Sequence, residues 1–314
     1  MSSETRLPFR KLRSSSVPFG GAALVAGALL FGGCAAAPQA RFSAARTVLN
    51  QLEEQTACSR AVQGDAKLMV SGPFLKVHGN LLYRAEVPEK LRFDVYSPLG
   101  VTLSTLTSDG SKFALYDLSQ KTFVYGPART CNIRRFTQVA VPPFALVELL
   151  RGRPPVLAHE PIDATLRFAR PLFGDGFYEV RIEGQRESTE TIVVEVARQD
   201  YERPLDQQRL RLRRVRVEQQ GTLLYEVKLE DYRSRRRALV EQTQEEKELG
   251  VFPPPPTGPP CSAELPSRLS FSVGRRGYRL SVLNQDVVHN PASAASVYTQ
   301  PIPEGVHTVF SDCR

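Results

Sequence analysis

The chain has 314 residues, of which 41% are hydrophobic and 24% charged, with 24 Pro and no Trp. This mixture excludes wholesale disorder and a polytopic membrane protein, and the length allows one large or two modest domains. The net charge of +8 falls to +5 without Glu4, Arg6, Arg10, Lys11 and Arg13 of the first 33 residues, which is mild for the length: it suits work beside anionic membrane surfaces and does not argue for nucleic acid.

Arg6, Arg10, Lys11 and Arg13 precede an apolar run from Phe19 to Phe31, which is too short to span ~30 Å of hydrocarbon as a helix. The run ends in Leu30-Phe31-Gly32-Gly33-Cys34. Small residues before a cut site mark a secretory signal, and the cysteine directly after them resembles a bacterial lipobox. Residues 1–33 are therefore predicted to be a lipoprotein signal peptide, with Cys34 the lipidated N-terminus and 34–41 a tether. An ordinary export signal with a chance cysteine is the other reading. In the lipoprotein analogy, Ala35 in place of Asp favours the outer membrane.

Cys58, Cys131, Cys261 and Cys313 remain. An even number in an exported chain predicts disulfides, and four cysteines allow three connectivities. Cys58–Cys131 and Cys261–Cys313 are expected, because each pair then closes within its own half of the fold. Zinc is the competing reading, but no CxxC or HxxxH spacing exists, and no metal or cofactor is expected.

After the tether, Phe42 to Thr56 places Phe42, Ala45, Val48, Leu49 and Leu52 on one helical face and Glu53 and Glu54 on the wet one. Short strands follow at Lys67–Val70, Lys76–Glu86, Leu91–Tyr96, Val101–Thr105, Lys112–Asp117 and Thr122–Tyr125. They are separated by turns such as Pro98-Leu99-Gly100 and Asp109-Gly110. Strands so close together form antiparallel hairpins. Leu91, Phe93 and Val95 face one way in theirs, and Val101, Leu103 and Thr105 repeat the pattern. Pro142-Pro143 then opens a second helix, Phe144 to Arg151, which Gly152 ends.

Strands resume at Ala164–Ala169, Phe177–Glu183, Thr191–Arg198, Arg209–Glu218 and Thr222–Tyr232. In the last, Leu223, Tyr225, Val227 and Leu229 alternate with Leu224, Glu226, Lys228 and Glu230, so one face is buried. In Arg209–Glu218 the apolar parity switches at Arg213-Arg214, which predicts a β-bulge on a strand with a solvated basic face. Arg233 to Leu249 reads as a third, charged helix. Residues 250–260 are a stiff proline-rich insertion. Arg268–Val273 and Tyr278–Leu283 return to strand. The predicted fold is mainly β (α+β): one domain over 42–314, a half-open antiparallel barrel of about eleven strands with helices on its concave face.

Chemistry is sparse. His78, His159, His289 and His307 have no metal spacing, and GxSxG, Walker and GxGxxG motifs are absent. Cys58 is a better disulfide partner than nucleophile. A non-enzymatic protein is expected, with an uncharacterised hydrolase as a minor alternative.

Three stretches carry a resemblance. Lys90-Leu91-Arg92-Phe93-Asp94-Val95-Tyr96-Ser97-Pro98-Leu99-Gly100 is similar to a strand running into a Pro-Leu-Gly loop in LolB. Val141-Pro142-Pro143-Phe144 through Leu149-Leu150-Arg151-Gly152-Arg153-Pro154 resembles a LolB helix, and Gln300-Pro301-Ile302-Pro303-Glu304-Gly305-Val306 resembles the end of LolA-type chains. Over Phe42 to Val309 the chain thus resembles the LolA/LolB family, which carries or receives lipoproteins for outer-membrane delivery.

The resemblance implies an apolar cavity that holds acyl chains under helical lids, each buried CH₂ gaining ~0.8 kcal/mol. Leu91, Phe93, Val95, Leu103, Tyr225, Val227 and Leu229 are the candidate wall residues. Pro98, Leu99 and Gly100 form the candidate membrane-contact loop. The implied partners are acyl chains of lipoproteins or lipids, the outer membrane through the N-terminal lipid, and a periplasmic carrier protein. The same apolar faces forming a filled core is the alternative to a cavity. The runner-up function is a structural or assembly lipoprotein that binds another envelope protein, with the proline-rich segment and basic helix as docking features.

Overall fold

The computed structural model describes residues 37–72, 76–137, 141–171, 175–235, 243–250, 252, 254–273 and 277–313. The expected signal peptide 1–33, Cys34 and the first residues of the tether lie outside them. The first helix, α1 (Ala45–Thr56), buries Ala45, Val48 and Leu52, the face expected from their spacing. Six hairpin strands follow: β1 (Ala61–Ser71), β2 (Lys76–Glu86), β3 (Lys90–Tyr96), β4 (Thr102–Ser108), β5 (Lys112–Asp117) and β6 (Thr122–Pro127). Next come α2 (Thr130–Thr137) and α3 (Pro143–Leu150). α3 buries six of its eight residues, more than a single stripe, because it lies sandwiched against the rest of the fold.

The second half runs through β7 (Ala164–Ala169), β8 (Phe177–Gly184), β9 (Ser188–Val196), β10 (Leu210–Gln219) and β11 (Thr222–Arg235). It ends with α4 (Gln244–Glu248), β12 (Ala263–Val273), β13 (Tyr278–His289) and β14 (His307–Phe310). All the strands belong to one 14-stranded sheet, ordered β14-β6-β5-β4-β3-β2-β1-β13-β12-β11-β10-β9-β8-β7. Neighbours are antiparallel except β14, which runs parallel to β6. The halves join where β1 pairs with β13. β14 and β7 end the order, so the sheet stays open, with helices on one face.

The expected bulge is present: the register of β10 on β9 shifts between Leu212 and Arg214. Other expectations change. Among the described residues the strands number fourteen rather than about eleven, and the last of them is the short parallel β14. α2 was not expected. Arg233–Arg235 extend β11 instead of opening a helix, because they pair with Ala263–Leu265 of β12. Residues 236–242 lie outside the described residues, and α4 is a short turn capped by Thr243 and Glu246. Of the proline-rich insertion, Pro256 forms a bridge with Ala292.

The expected disulfide pairing is corrected. The bonds are Cys58–Cys261 and Cys131–Cys313. Cys58 leads into β1 and Cys261 into β12, and both strands start at the same end of the sheet with only β13 between them. Cys131 follows β6 and Cys313 follows β14, which leave the sheet side by side because their pairing is parallel. Strand pairing between the halves, not closeness in sequence, sets the partners. Among the described residues no helix is long and apolar enough to cross a membrane.

Candidate functional site

Antiparallel neighbours alternate in direction, so the β1–β2, β3–β4, β5–β6 and β12–β13 connections all lie at one end of the sheet. Just inside that end the concave face holds a cavity of about 150 Å³. Its wall comes from residues of matching parity on paired strands. Leu68 and Val70 stand on β1, Leu81 on β2, and Phe93 and Val95 on β3. Opposite Phe93 and Val95 are Leu106 and Ser104 of β4, and β5, β12 and β13 complete the wall. The roof is Leu146 and Leu150 of α3. Ser104 is the one polar residue in the lining, so the cavity selects for hydrocarbon.

A polar layer lies one step further along the strands. The Tyr83 hydroxyl donates to Asn284 Oδ1 at 3.0 Å, and Asn284 Nδ2 donates to the Pro266 carbonyl at 2.9 Å. Burial pushes the Tyr83 phenol far above its usual value, while the Asn284 bond opposes this. The ring lies against Gly64, where an added Cβ would clash with it. The roof is pinned at its C-terminal end by Arg151, which is wholly buried. Its guanidinium donates to the carbonyls of Thr56, the last residue of α1, and of Ser59 just after it, and pairs with Glu148 at 2.8 Å.

Beyond Arg151 the chain runs as a strap without regular structure, through Gly152 to Glu160, and buries Pro154 and Pro155. Its Leu157 amide donates to Glu190 Oε2 of β9 at 2.7 Å. Glu190 is completely buried, and its Oε1 has no partner. That desolvation pushes its pKa up to about 7, with the Leu157 bond pulling the other way.

The expected wall residues separate. Phe93 and Val95 line the cavity. Leu91, Tyr225, Val227 and Leu229 are buried in the continuous core outside its lining. Leu103 is half-buried at a bulge in β4, between Ser104 opposite Val95 and Thr102 opposite Tyr96, and stays outside the lining. The lining residues Leu68, Val70, Leu106, Leu115, Leu146, Leu150, Phe271, Leu280 and Val282 were not singled out from sequence. Alternation alone would have flagged Leu280 with Val282, but not which strands face each other.

The Pro98-Leu99-Gly100 loop lies at the same end as the cavity, joining the strands that carry Val95 and Ser104. It is a closed turn: Gly100 donates to the Ser97 carbonyl at 2.9 Å and Ser97 to the Val101 carbonyl at 2.8 Å. Gly100 takes φ +83° there, a conformation that favours glycine. Leu99 is 92% exposed and Val101 62%, so neither packs on a neighbouring loop. Cys34 lies outside the described residues. A separate groove of about 700 Å³ lies between β4–β6 and the C-terminal segment, with Tyr125, Ile302 and Phe310 exposed along it. No group of His, Cys, Asp and Glu side chains among the described residues could hold a metal ion.

No family model and no curated protein matches this chain. Solved structures do. A DUF1329 family protein from Desulfovibrio piger aligns at TM-score 0.51 and 7% identity, over 82% of this chain and 98% of its own. A LolA superfamily protein from Nitrosomonas europaea aligns at TM-score 0.48 and 11% identity, over 82% and 99%. A putative outer membrane lipoprotein-sorting protein domain from Vibrio parahaemolyticus aligns at TM-score 0.45 and 10% identity, over 78% and 93%. At these identities the likeness is one of fold.

Proposed function

We propose that this chain is a lipid-anchored, non-enzymatic envelope protein that binds acyl chains between its sheet and α3, in lipoprotein or lipid transfer to the outer membrane. The observation that carries the reading is the cavity: almost entirely apolar, roofed by a helix, and at the same end of the sheet as an exposed apolar loop. The anchor is Cys34, and a periplasmic carrier is the expected donor of cargo.

At about 150 Å³ the cavity matches the size of an engineered void that admits benzene. A long acyl chain needs more room, so α3 rises from the sheet when cargo enters. The structure is then the closed form.

A fluorescent fatty acid titrated into the chain tests this. The wild type should take it up, and Val95→Phe, which fills the space beneath the roof, should weaken uptake tenfold or more (about 1.4 kcal/mol) while keeping its melting temperature. Absence of uptake by the wild type, with no lipid found by native mass spectrometry, overturns the reading. The groove along Tyr125, Ile302 and Phe310 favours a second reading, an assembly lipoprotein docked on another envelope protein. In that case Phe310→Asp would impair function and Val95→Phe would not.

A further inference from the structure

The roof helix does not end freely. Its continuation, the Gly152–Glu160 strap, runs to the far half of the sheet, where the Leu157 amide meets the Glu190 carboxyl and the Leu157 side chain packs on the core; nearer the helix, Arg153 pairs with Glu53 and Glu148. Glu190 shares parity with Ile192, Val194 and Val196 on β9 and sits opposite Ile182 of β8 and Val217 of β10, all apolar. The side chains paired with it on β8 and β10 therefore prefer hydrocarbon. The carboxyl meets one donor, the Leu157 amide at 2.7 Å, and its second oxygen meets none. A buried carboxylate of structural use normally collects an arginine or several amides. This one has neither, so the site suits the protonated acid far better than the anion.

We propose that Glu190 is a proton-dependent catch on the Gly152–Glu160 strap: protonated, it holds the strap closed, and on losing its proton it releases it. This deepens the acyl-binding reading and rests on it for its purpose, since the strap continues the helix that must rise. The catch itself stands on the strap's contacts alone.

The groups around Glu190 leave the carboxyl as the titrating element. From β11, Tyr225 faces it, and its phenol is held neutral by burial and by Glu190 itself. On β8, Arg181 and Glu183 lie on the opposite face and pair with each other at 2.8 Å. On β10, Arg216 and Glu218 do the same at 2.6 Å. From the strap, His159 contacts the Leu157 carbonyl through Nδ1 at 2.7 Å.

The sign follows from the raised pKa, which burial of the carboxyl causes. An uncaught Glu190 in water ionises near its ordinary value of 4.5, and the caught one at about 7. The closed form is thus fully favoured below pH 4.5, loses ground as pH rises to about 7, and is level above that. Between pH 5 and 8 the open fraction should rise roughly 50- to 100-fold.

Hydrogen exchange of the strap amides, corrected for intrinsic rates and followed from pH 5 to 8 on the full chain, tests this without any lipid. The wild type should lose protection over 152–160 by that factor. Glu190→Gln should remove the dependence, and His159→Asn should keep it. Flat protection in the wild type overturns the catch, as does a pH dependence that survives Glu190→Gln or disappears with His159→Asn. Fatty-acid uptake is read separately, so a failed catch and a failed acyl site give different results.

Discussion

The Tyr83 hydroxyl and the Asn284 side chain meet at 3.0 Å beneath the cavity, linking β2 to β13 across β1. This bond lies one step beyond the lining of the chamber, and Gly64 makes room for the ring that reaches it. Tyr83→Phe leaves Asn284 Oδ1 buried and unpaired. It should cost about 1–3 kcal/mol, read as a lower melting temperature. Gly64→Ala drives a methyl group into the same ring and should cost about 1–3 kcal/mol. A loss under 0.5 kcal/mol for both would show that the layer is loosely held.

The disulfides give a sharper test. Non-reducing peptide mapping should recover Cys58–Cys261 and Cys131–Cys313, and no Cys58–Cys131 species. Replacing Cys131 and Cys313 together by Ser opens a loop with a sequence separation of 182. On the chain-entropy account this should cost roughly 4–5 kcal/mol, with exchange at His307–Phe310 rising first.

Leu99 projects from a turn that its own backbone bonds hold closed, so a change at its tip should spare the fold. Leu99→Glu should alter stability by less than about 0.5 kcal/mol. If the loop enters lipid, the substitution should weaken vesicle binding of the unacylated Cys34→Ser chain roughly 10- to 100-fold, the worth of one buried leucine. Unchanged vesicle binding would remove the loop from any membrane role.

Cys34→Ser should by itself abolish acyl labelling and retention in the membrane fraction. Acylation that persists in this variant would disprove the anchor.

Much of the fold was legible because hairpins advertise themselves. Leu91, Phe93 and Val95 alternate cleanly, and the parity switch at Arg213-Arg214 marked a true bulge. β4 was harder. Leu103 and Leu106 fall on opposite parities, each among Ser and Thr, so composition did not say which faced inward; pairing with β3 puts Leu106 there. The cavity depends on which strands become neighbours, above all β1 with β13, and no local pattern encodes that. The disulfide partners depend on the same pairings. Glu190 stands in a polar run, Ser188-Thr189-Glu190-Thr191, where only its parity with Ile192 points to burial.

The short strand β14 has a consequence for how copies of this chain behave together. A long unpaired sheet margin invites another molecule to add its own strand. β14 occupies that place along Thr122–Tyr125, and the margin it leaves instead is four residues long. The covalent link between Cys131 and Cys313 keeps this cover in place. Reduction therefore threatens colloidal behaviour before it threatens ligand chemistry: once the cover lifts, β6 becomes a template, and one chain can begin to recruit the next.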